Sequence, residues 1–315
     1  MNKKIFLVIY VLLYNITILS AGEPLQIQDL EPAPYDQAVL AGYLENKKLD
    51  EASGISSSRI HNDVLWLLND SGNKARIYAV GPDGSARGVF NIEGARNRDW
   101  EDMASFRLNN IPYLLIADTG DNNAVHKLNT LYIIKEPDVK KSIGGKNRGI
   151  KVAGKIHFVF EDGPRDCEAV AVDVAREKIL LLTKRTVPPV LYELPLELNP
   201  GNNTLIAKRL TKVPTIPQPS KEEMQMERRF GIHSAWPTAM DISADGRVAV
   251  VLTYKNALLY EYNTSWAITF TQKPKHINIP LLIQSESFCF ASDGRTLYLT
   301  SEKQAAPLYC IKKKK

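Results

Sequence analysis

Apolar and polar positions alternate in short runs through most of this chain, and the runs recur as a set. Five segments share one order: a polar residue, a short alternating strand, a turn, and a second apolar strand. Glu51-Ala-Ser-Gly-Ile leads to Trp66-Leu-Leu-Asn-Asp70, and Glu101-Asp-Met-Ala leads to Leu114-Leu-Ile-Ala-Asp118. Glu168-Ala-Val-Ala-Val-Asp173 leads to Leu180-Leu-Leu-Thr-Lys184, and Thr238-Ala-Met-Asp-Ile leads to Val250-Val-Leu-Thr-Tyr254. Glu286-Ser-Phe-Cys-Phe then leads to Leu297-Tyr-Leu-Thr-Ser-Glu302. In the last three copies the two polar ends lie sixteen residues apart, and Asp245-Gly246 and Asp293-Gly294 supply hairpin turns.

A third strand follows each pair, marked by an aliphatic residue and a tyrosine: Ile77-Tyr78, Leu131-Tyr132, Leu191-Tyr192, Leu259-Tyr260 and Leu308-Tyr309. Fourth strands are expected at Gly88–Ile92, Lys155–Phe160, Thr204–Leu210 and His276–Pro280. The last copy ends before its own fourth strand, and Ala38-Val-Leu-Ala-Gly-Tyr43 is placed to supply it. The pattern predicts an all-β protein, a β-propeller of five blades with four antiparallel strands each, closed by the N-terminal strand. Six blades would need another unit between Lys184 and Thr238, where none is visible. Helical periodicity is confined to Glu222–Arg229, which disfavours α/β folds.

In a propeller the first strand of each blade lines the channel, so residues recurring at its start converge on one mouth. The predicted ring is Glu51, Glu101, Glu168, Thr238 and Glu286. The second strands return to the same face with Asp70, Asp118, Lys184, Tyr254 and Glu302. Four glutamates in such a ring repel one another unless a positive charge sits among them. No histidine or cysteine falls in the ring, so oxygen ligands point to a hard cation, Ca²⁺ before Mg²⁺. The alternative is structural: glutamates capping backbone, with Lys184 and Arg185 partly neutralising them.

Two loops, Asn69-Asp-Ser-Gly-Asn73 and Asp118-Thr-Gly-Asp121-Asn122, carry turn-forming residues beside the ring. The segment Gly94-Ala-Arg96-Asn-Arg98-Asp-Trp100-Glu101-Asp102 brings two arginines and an indole to the mouth. Arginine suits phosphate or carboxylate, and Trp100 is suited to stacking on a ring-shaped ligand; a salt-bridged junction loop is the alternative.

Composition narrows the partners. The 315 residues carry a formal charge of +5, but two lysines of an N-terminal leader and the tail Lys312–Lys315 account for it, leaving a nearly neutral body. A basic nucleic-acid groove is thereby disfavoured. Residues 1–22 read as a signal peptide: Lys3 and Lys4, an apolar stretch from Ile5 to Leu19, then Ser20-Ala-Gly22. Export of a single domain, 23–315, is expected, without a transmembrane segment after cleavage and as a monomer. Cys167, Cys289 and Cys310 make no disulfide framework, and the first two sit in strand-like runs. No G-x-S-x-G, Walker A, H-E-x-x-H or C-x-x-C motif is present.

The run from Arg96 to Ala104, the Asp118-Thr-Gly-Asp-Asn loop, Glu168-Ala-Val-Ala-Val-Asp and Leu181-Leu-Thr-Lys-Arg185 together resemble exported bacterial propellers of the esterase-like, phytase-like kind. A more distant resemblance is to the calcium-activated nucleotidases, five-bladed propellers with Ca²⁺ in the channel. That resemblance implies Glu101, Glu168 and Glu286 as carboxylate ligands, Thr238 as a hydroxyl, Ser53 or Glu51 from the first blade, and Lys184-Arg185 as a basic pair. The expected functions are three. One is a Ca²⁺-dependent phosphoester or phosphoanhydride hydrolase, with Glu101 or Glu168 holding metal or acting as base and Arg96, Arg98, Lys184 and Arg185 holding phosphate. Another is a Ca²⁺-dependent esterase or lactonase. The third is a binding propeller that takes a small molecule or a protein on the mouth face.

Overall fold

The computed structural model describes residues 25–142, 149–198, 201, 203–228 and 231–315. The leader read at 1–22 and most of the glycine-rich run Ile143–Gly149 lie outside them. Among the described residues the protein is all-β apart from single helical turns and one short helix, α1 (Trp266–Thr269). In the described part of Glu222–Arg229, where a couple of helical turns were expected, the 3₁₀ turn Glu223–Gln225 forms. That stretch carries Met224 and Met226 exposed, so it has no core-facing stripe to hold a longer helix.

Strands β2 (Ala52–Ser57), β3 (Leu65–Asn69), β4 (Arg76–Val80) and β5 (Ala86–Glu93) form an antiparallel meander. The same order recurs in β6 (Trp100–Leu108), β7 (Ile111–Asp118), β8 (Asn129–Lys135) and β9 (Gly149–Phe160). It recurs again in β10 (Cys167–Asp173), β11 (Lys178–Thr183), β12 (Val190–Pro195) and β13 (Thr204–Lys212). The next set is β14 (Pro237–Ile242), β15 (Val248–Thr253), β16 (Ala257–Glu261) and β17 (Lys275–Ile277). Strands β18 (Ser285–Phe290), β19 (Leu297–Ser301) and β20 (Pro307–Ile311) end the chain, and the N-terminal β1 (Val39–Tyr43) pairs antiparallel with β20.

The first strands β2, β6, β10, β14 and β18 pack side by side in that order, and β18 packs back against β2. Meanders standing around an axis with their first strands innermost make a β-propeller. The core lies between neighbouring sheets. Trp66, Leu68, Met103 and Ile116 fill one such layer, and Leu115, Phe158, Val170 and Tyr192 the next. Leu180, Leu182, Met240 and Val251 follow, then Val250, Leu252, Phe288 and Leu299. Ile55, Leu67, Cys289 and Leu308 join the last blade to the first. Because each innermost strand is covered on both faces, β2, β10 and β18 are buried along their whole length.

Two features shape the site. Each innermost strand carries a register break at its start: between Ala52 and Gly54, Trp100 and Asp102, Cys167 and Ala169, Pro237 and Ala239, and Ser285 and Ser287. A bulge adds one residue opposite one partner and re-aims its side chain. The second feature is at the outer rim. Strand β9 runs past its own blade, its first residues pairing in parallel with β5 and its last with β13. The first three meanders therefore share one sheet, while β14–β17 and β18–β20 with β1 remain separate sheets.

Candidate metal and ligand site at the channel mouth

The bulges place Ser53, Glu101, Glu168, Thr238 and Glu286 at one station around the channel. All are buried. The first-blade member is Ser53, whereas Glu51 lies two residues earlier, exposed, accepting from Asn73 Nδ2 at 2.8 Å. The position two residues before the bulge is a second tier, occupied by Glu51, Asp99, Asp166, Trp236 and Gln284. Neither Asp99 nor Asp166 was among the expected ring residues. The signal for them is the repeated Asp-x-Glu spacing, Asp99-Trp-Glu101 and Asp166-Cys-Glu168.

Carboxylate oxygens of Glu101, Asp166 and Glu168, all buried, lie within 4.8 Å of one another, and those of Asp70, Asp99 and Glu101 do likewise. Glu101 is the shared corner. Ser53 Oγ donates to its Oε2 at 3.4 Å. Gly120 lies directly against this corner: a Cβ there would stand 2.1 Å from Glu101 Oε1 and 2.5 Å from Asp99 Cγ. Only a residue without a side chain lets the Asp118–Asn122 loop approach the carboxylates so closely.

Two cations answer part of this charge. Lys184 Nζ is ion-paired to Glu168, lies 4.0 Å from Glu286 Oε1, and sits 4.9 Å above the Tyr254 ring. Arg185 Nε holds Asp166 Oδ2 at 2.6 Å, its guanidinium also bonds Asn122, and it lies over the Trp236 ring, which is stacked in turn on His233. Burial pushes the Glu101 carboxyl well above the ordinary range, and Glu168 and Asp70 push it further. Burial likewise raises Glu168 against the pull of Lys184. It takes Glu286 up to about 8, despite Lys184 and the bond from Tyr254 OH to Oε1 at 2.7 Å. Burial raises Asp70 to about 6 and lifts Glu302 as well. Burial opposes the charge on Lys184, yet Glu168 and Glu286 outweigh it and hold that ammonium well above its usual value.

The neighbouring segment reads differently from expectation. Trp100 is fully buried between sheets, with Nε1 donating to Arg96 O, so its ring is closed to a ligand. Arg98 turns to the loop, donating to Leu128 O, Asp118 O and Asn129 Oδ1. Both are corrections: the junction between blades needed an apolar plug and a backbone clamp. Arg96 is exposed. Asp118 pairs with Trp100 one residue short of the mouth and caps the loop by accepting from Arg98 N and Asp99 N. Thr119 takes the mouth position instead, its Oγ1 donating to Cys167 O at 2.7 Å. Asp121 accepts from Val125 N and His126 N, a loop cap. Thr238 is similarly engaged, its Oγ1 donating to Ser285 O at 2.7 Å.

The fold and site thus define a β-propeller with an acidic channel mouth. No protein-family model and no curated protein matches the chain. Among solved structures it is similar to the β-propeller domain of Cps50 (Swd1) from Myceliophteria thermophila, at 13% identity and a TM-score of 0.40, over 86% of this chain and 67% of that one. The propeller assignment rests on the strand order and the ring of innermost strands. Among the described residues no helix is long and apolar enough to cross a membrane.

Proposed function

We propose that this chain is a five-bladed β-propeller that takes a divalent cation, Ca²⁺ before Mg²⁺, at one mouth of its channel and uses it to hold an anionic ligand. The blade count is supported by the cyclic order β2, β6, β10, β14, β18 and by the pairing of β1 with β20. The observation that carries the cation is the corner at Glu101. Two carboxylate groups share it, and among the described residues no basic side chain is ion-paired to it. Lys184 and Arg185 serve Glu168 and Asp166 instead, so the cluster keeps an excess of oxygen ligands suited to a hard cation. The leader at 1–22 supports an exported location.

Thermal melting of the protein in chelator, then across a Ca²⁺ series with Mg²⁺ as control, tests this. At a hundred times the dissociation constant, Ca²⁺ is expected to add about 2.7 kcal/mol, a rise of several degrees. Glu101→Gln is expected to abolish that rise. No rise in the unaltered protein, with metal absent by mass spectrometry, sinks the cation reading.

A second reading, the Ca²⁺-dependent hydrolase of a phosphoester, phosphoanhydride, ester or lactone, draws on Glu286. Its carboxyl, pushed up to about 8 and bonded to Tyr254, is poised to exchange a proton near neutral pH close to the acid cluster. Turnover that disappears with chelator and with Glu286→Gln supports it; none on phosphate or aryl-ester substrates removes it.

A further inference from the structure

The channel has a second mouth, and different residues build it. The innermost strands start at the acidic ring and end on the opposite face, where a cavity of about 370 Å³ opens. Every blade lines it: Arg59 follows β2, Arg107 lies near the end of β6, Val174 follows β10, Ala244 follows β14 and Ser292 follows β18. That volume is in the range of small-molecule sites. Among the described residues the charged side chains lining it are Arg59 and Arg107, and Phe106 and Val174 supply apolar wall.

Backbone carbonyls hold both guanidiniums. Arg59 Nε and Nη2 donate to Ser105 O at 3.1 and 3.0 Å. Arg107 Nη1 donates to Asn110 O at 3.1 Å, and its Nη2 to Arg59 O. Carbonyls fix the two side chains without neutralising them, and each guanidinium carries more N–H donors than these bonds use. The carboxylates nearby are engaged elsewhere. Burial raises Asp241 to about 6 and Arg59 draws it back, so Asp241 answers part of that charge; its oxygens accept from Ile242 N and Phe290 N. Glu136 accepts from Ser58 Oγ, Arg59 N and Trp66 Nε1. On the adjoining turns Asp63 pairs with Arg87 and Asp173 with Arg176, while Ser243 donates to Asp245 and Thr296 to Asp293. None of these carboxylates, nor the exposed Glu177, lines the cavity.

We propose that this second mouth binds a small organic oxyanion, a carboxylate or phosphate monoester carrying a short apolar chain. The oxyanion bridges Arg59 and Arg107 through charge-assisted hydrogen bonds, and the chain lies against Phe106 and Val174. Two guanidiniums fixed at one cavity repel each other, and an anion between them relieves that repulsion. The cation proposed for the acidic mouth plays no part in this site.

Calorimetric titration of the protein in chelator with hexyl phosphate and with hexanoate tests this, beside hexanol, hexylamine and inorganic phosphate. The oxyanions are expected to bind about tenfold or more tighter than hexanol or hexylamine, and hexyl phosphate about tenfold tighter than inorganic phosphate. Binding of one oxyanion alone supports the proposal and identifies the group. Arg107→Gln, which removes a cation, and Ala244→Glu, which adds an opposing charge, are each expected to weaken binding about tenfold. Both positions are exposed, and melting curves check that the variants fold. Absence of binding, equal binding of hexanol or hexylamine, inorganic phosphate as tight as hexyl phosphate, or indifference to either variant overturns the proposal. Because the titration runs in chelator, its failure leaves the Ca²⁺ melting shift standing, and the reverse holds.

Discussion

The two sides of this propeller are built differently. From β2 to β13 the blades are joined at the outer rim, because β9 pairs with β5 at one end and β13 at the other. From β14 onward the blades are held by their innermost strands and the apolar layers between them. The acidic corner sits wholly on the joined side: Asp70 follows β3, Asp99 and Glu101 open β6, and Asp166 and Glu168 open β10. The other side contributes Thr238, Tyr254 and Glu286. Crowded carboxylates need a frame that resists their spreading apart, and a shared sheet supplies it. The long connection before β14 reaches the cluster through Trp236, whose ring lies under the Arg185 guanidinium that holds Asp166.

Lys184 is where the two sides meet, and its removal is expected to have the largest effect. It binds Glu168 on the joined side and faces Glu286 on the other. Lys184→Met leaves both carboxylates buried without their cation, and a loss of about 3–5 kcal/mol is expected in denaturant unfolding. A loss under about 1 kcal/mol contradicts the view that Lys184 holds the two sides together.

The rim pairing itself is next. Ile206 is exposed, and residues Thr204–Ala207 of β13 pair only with β9. Ile206→Pro removes ladder hydrogen bonds there without opening the core, and about 2 kcal/mol is the expected cost. Hydrogen exchange sharpens the comparison: amides of β9 and β13 are expected to be slower than those of β17 in the unaltered protein, and Ile206→Pro is expected to erase the difference. Equal exchange rates at the start mean that the rim sheet confers no extra rigidity.

The remaining test is pH. Glu286 at about 8 and Asp70 at about 6 stand above the usual carboxylate range, so the folded protein keeps protons that the unfolded chain releases. Stability from this source is whole below about pH 4 and is lost as pH rises through about 8. In chelator, a fall in Tm between pH 5 and 8.5 is expected, and Ca²⁺ is expected to reduce it by taking the deprotonated carboxylates. A Tm that rises over this range runs against the sign.

The strand plan was legible because it repeats. Aliphatic-tyrosine pairs marked third strands, Asp-Gly marked hairpins, and each expected fourth strand overlaps an observed one, from β5 to β1. The rim pairing was not legible, since parallel pairing between outer strands leaves no mark at the level of alternation. The site was legible to within a register step. Sequence spacing placed Glu51 and Asp118 in the rings; the bulge moves the first-blade position to Ser53, and the strand register moves the other to Thr119. A bulge shifts which residue faces the channel without changing the apolar pattern that a sequence displays. Trp100 misled for a related reason: its acidic and basic neighbours suggested a ligand site, while its indole fills the layer between blades.

The pairing of β1 with β20 also bears on how such a chain reaches its native state. Val39 meets Cys310, so the innermost-to-outermost order of the last blade is completed by β1, which is synthesised before every other described strand. The entropy of closing so long a loop grows only logarithmically and costs little more than for a loop half as long. Time is the scarcer quantity, because contacts distant in sequence form slowly. Until β20 emerges, β1 has no neighbour to pair with, and its Val39, Leu40 and Tyr43 remain exposed even in the finished molecule. The strand that pairs with β20 is therefore open to pairing with a second chain during synthesis.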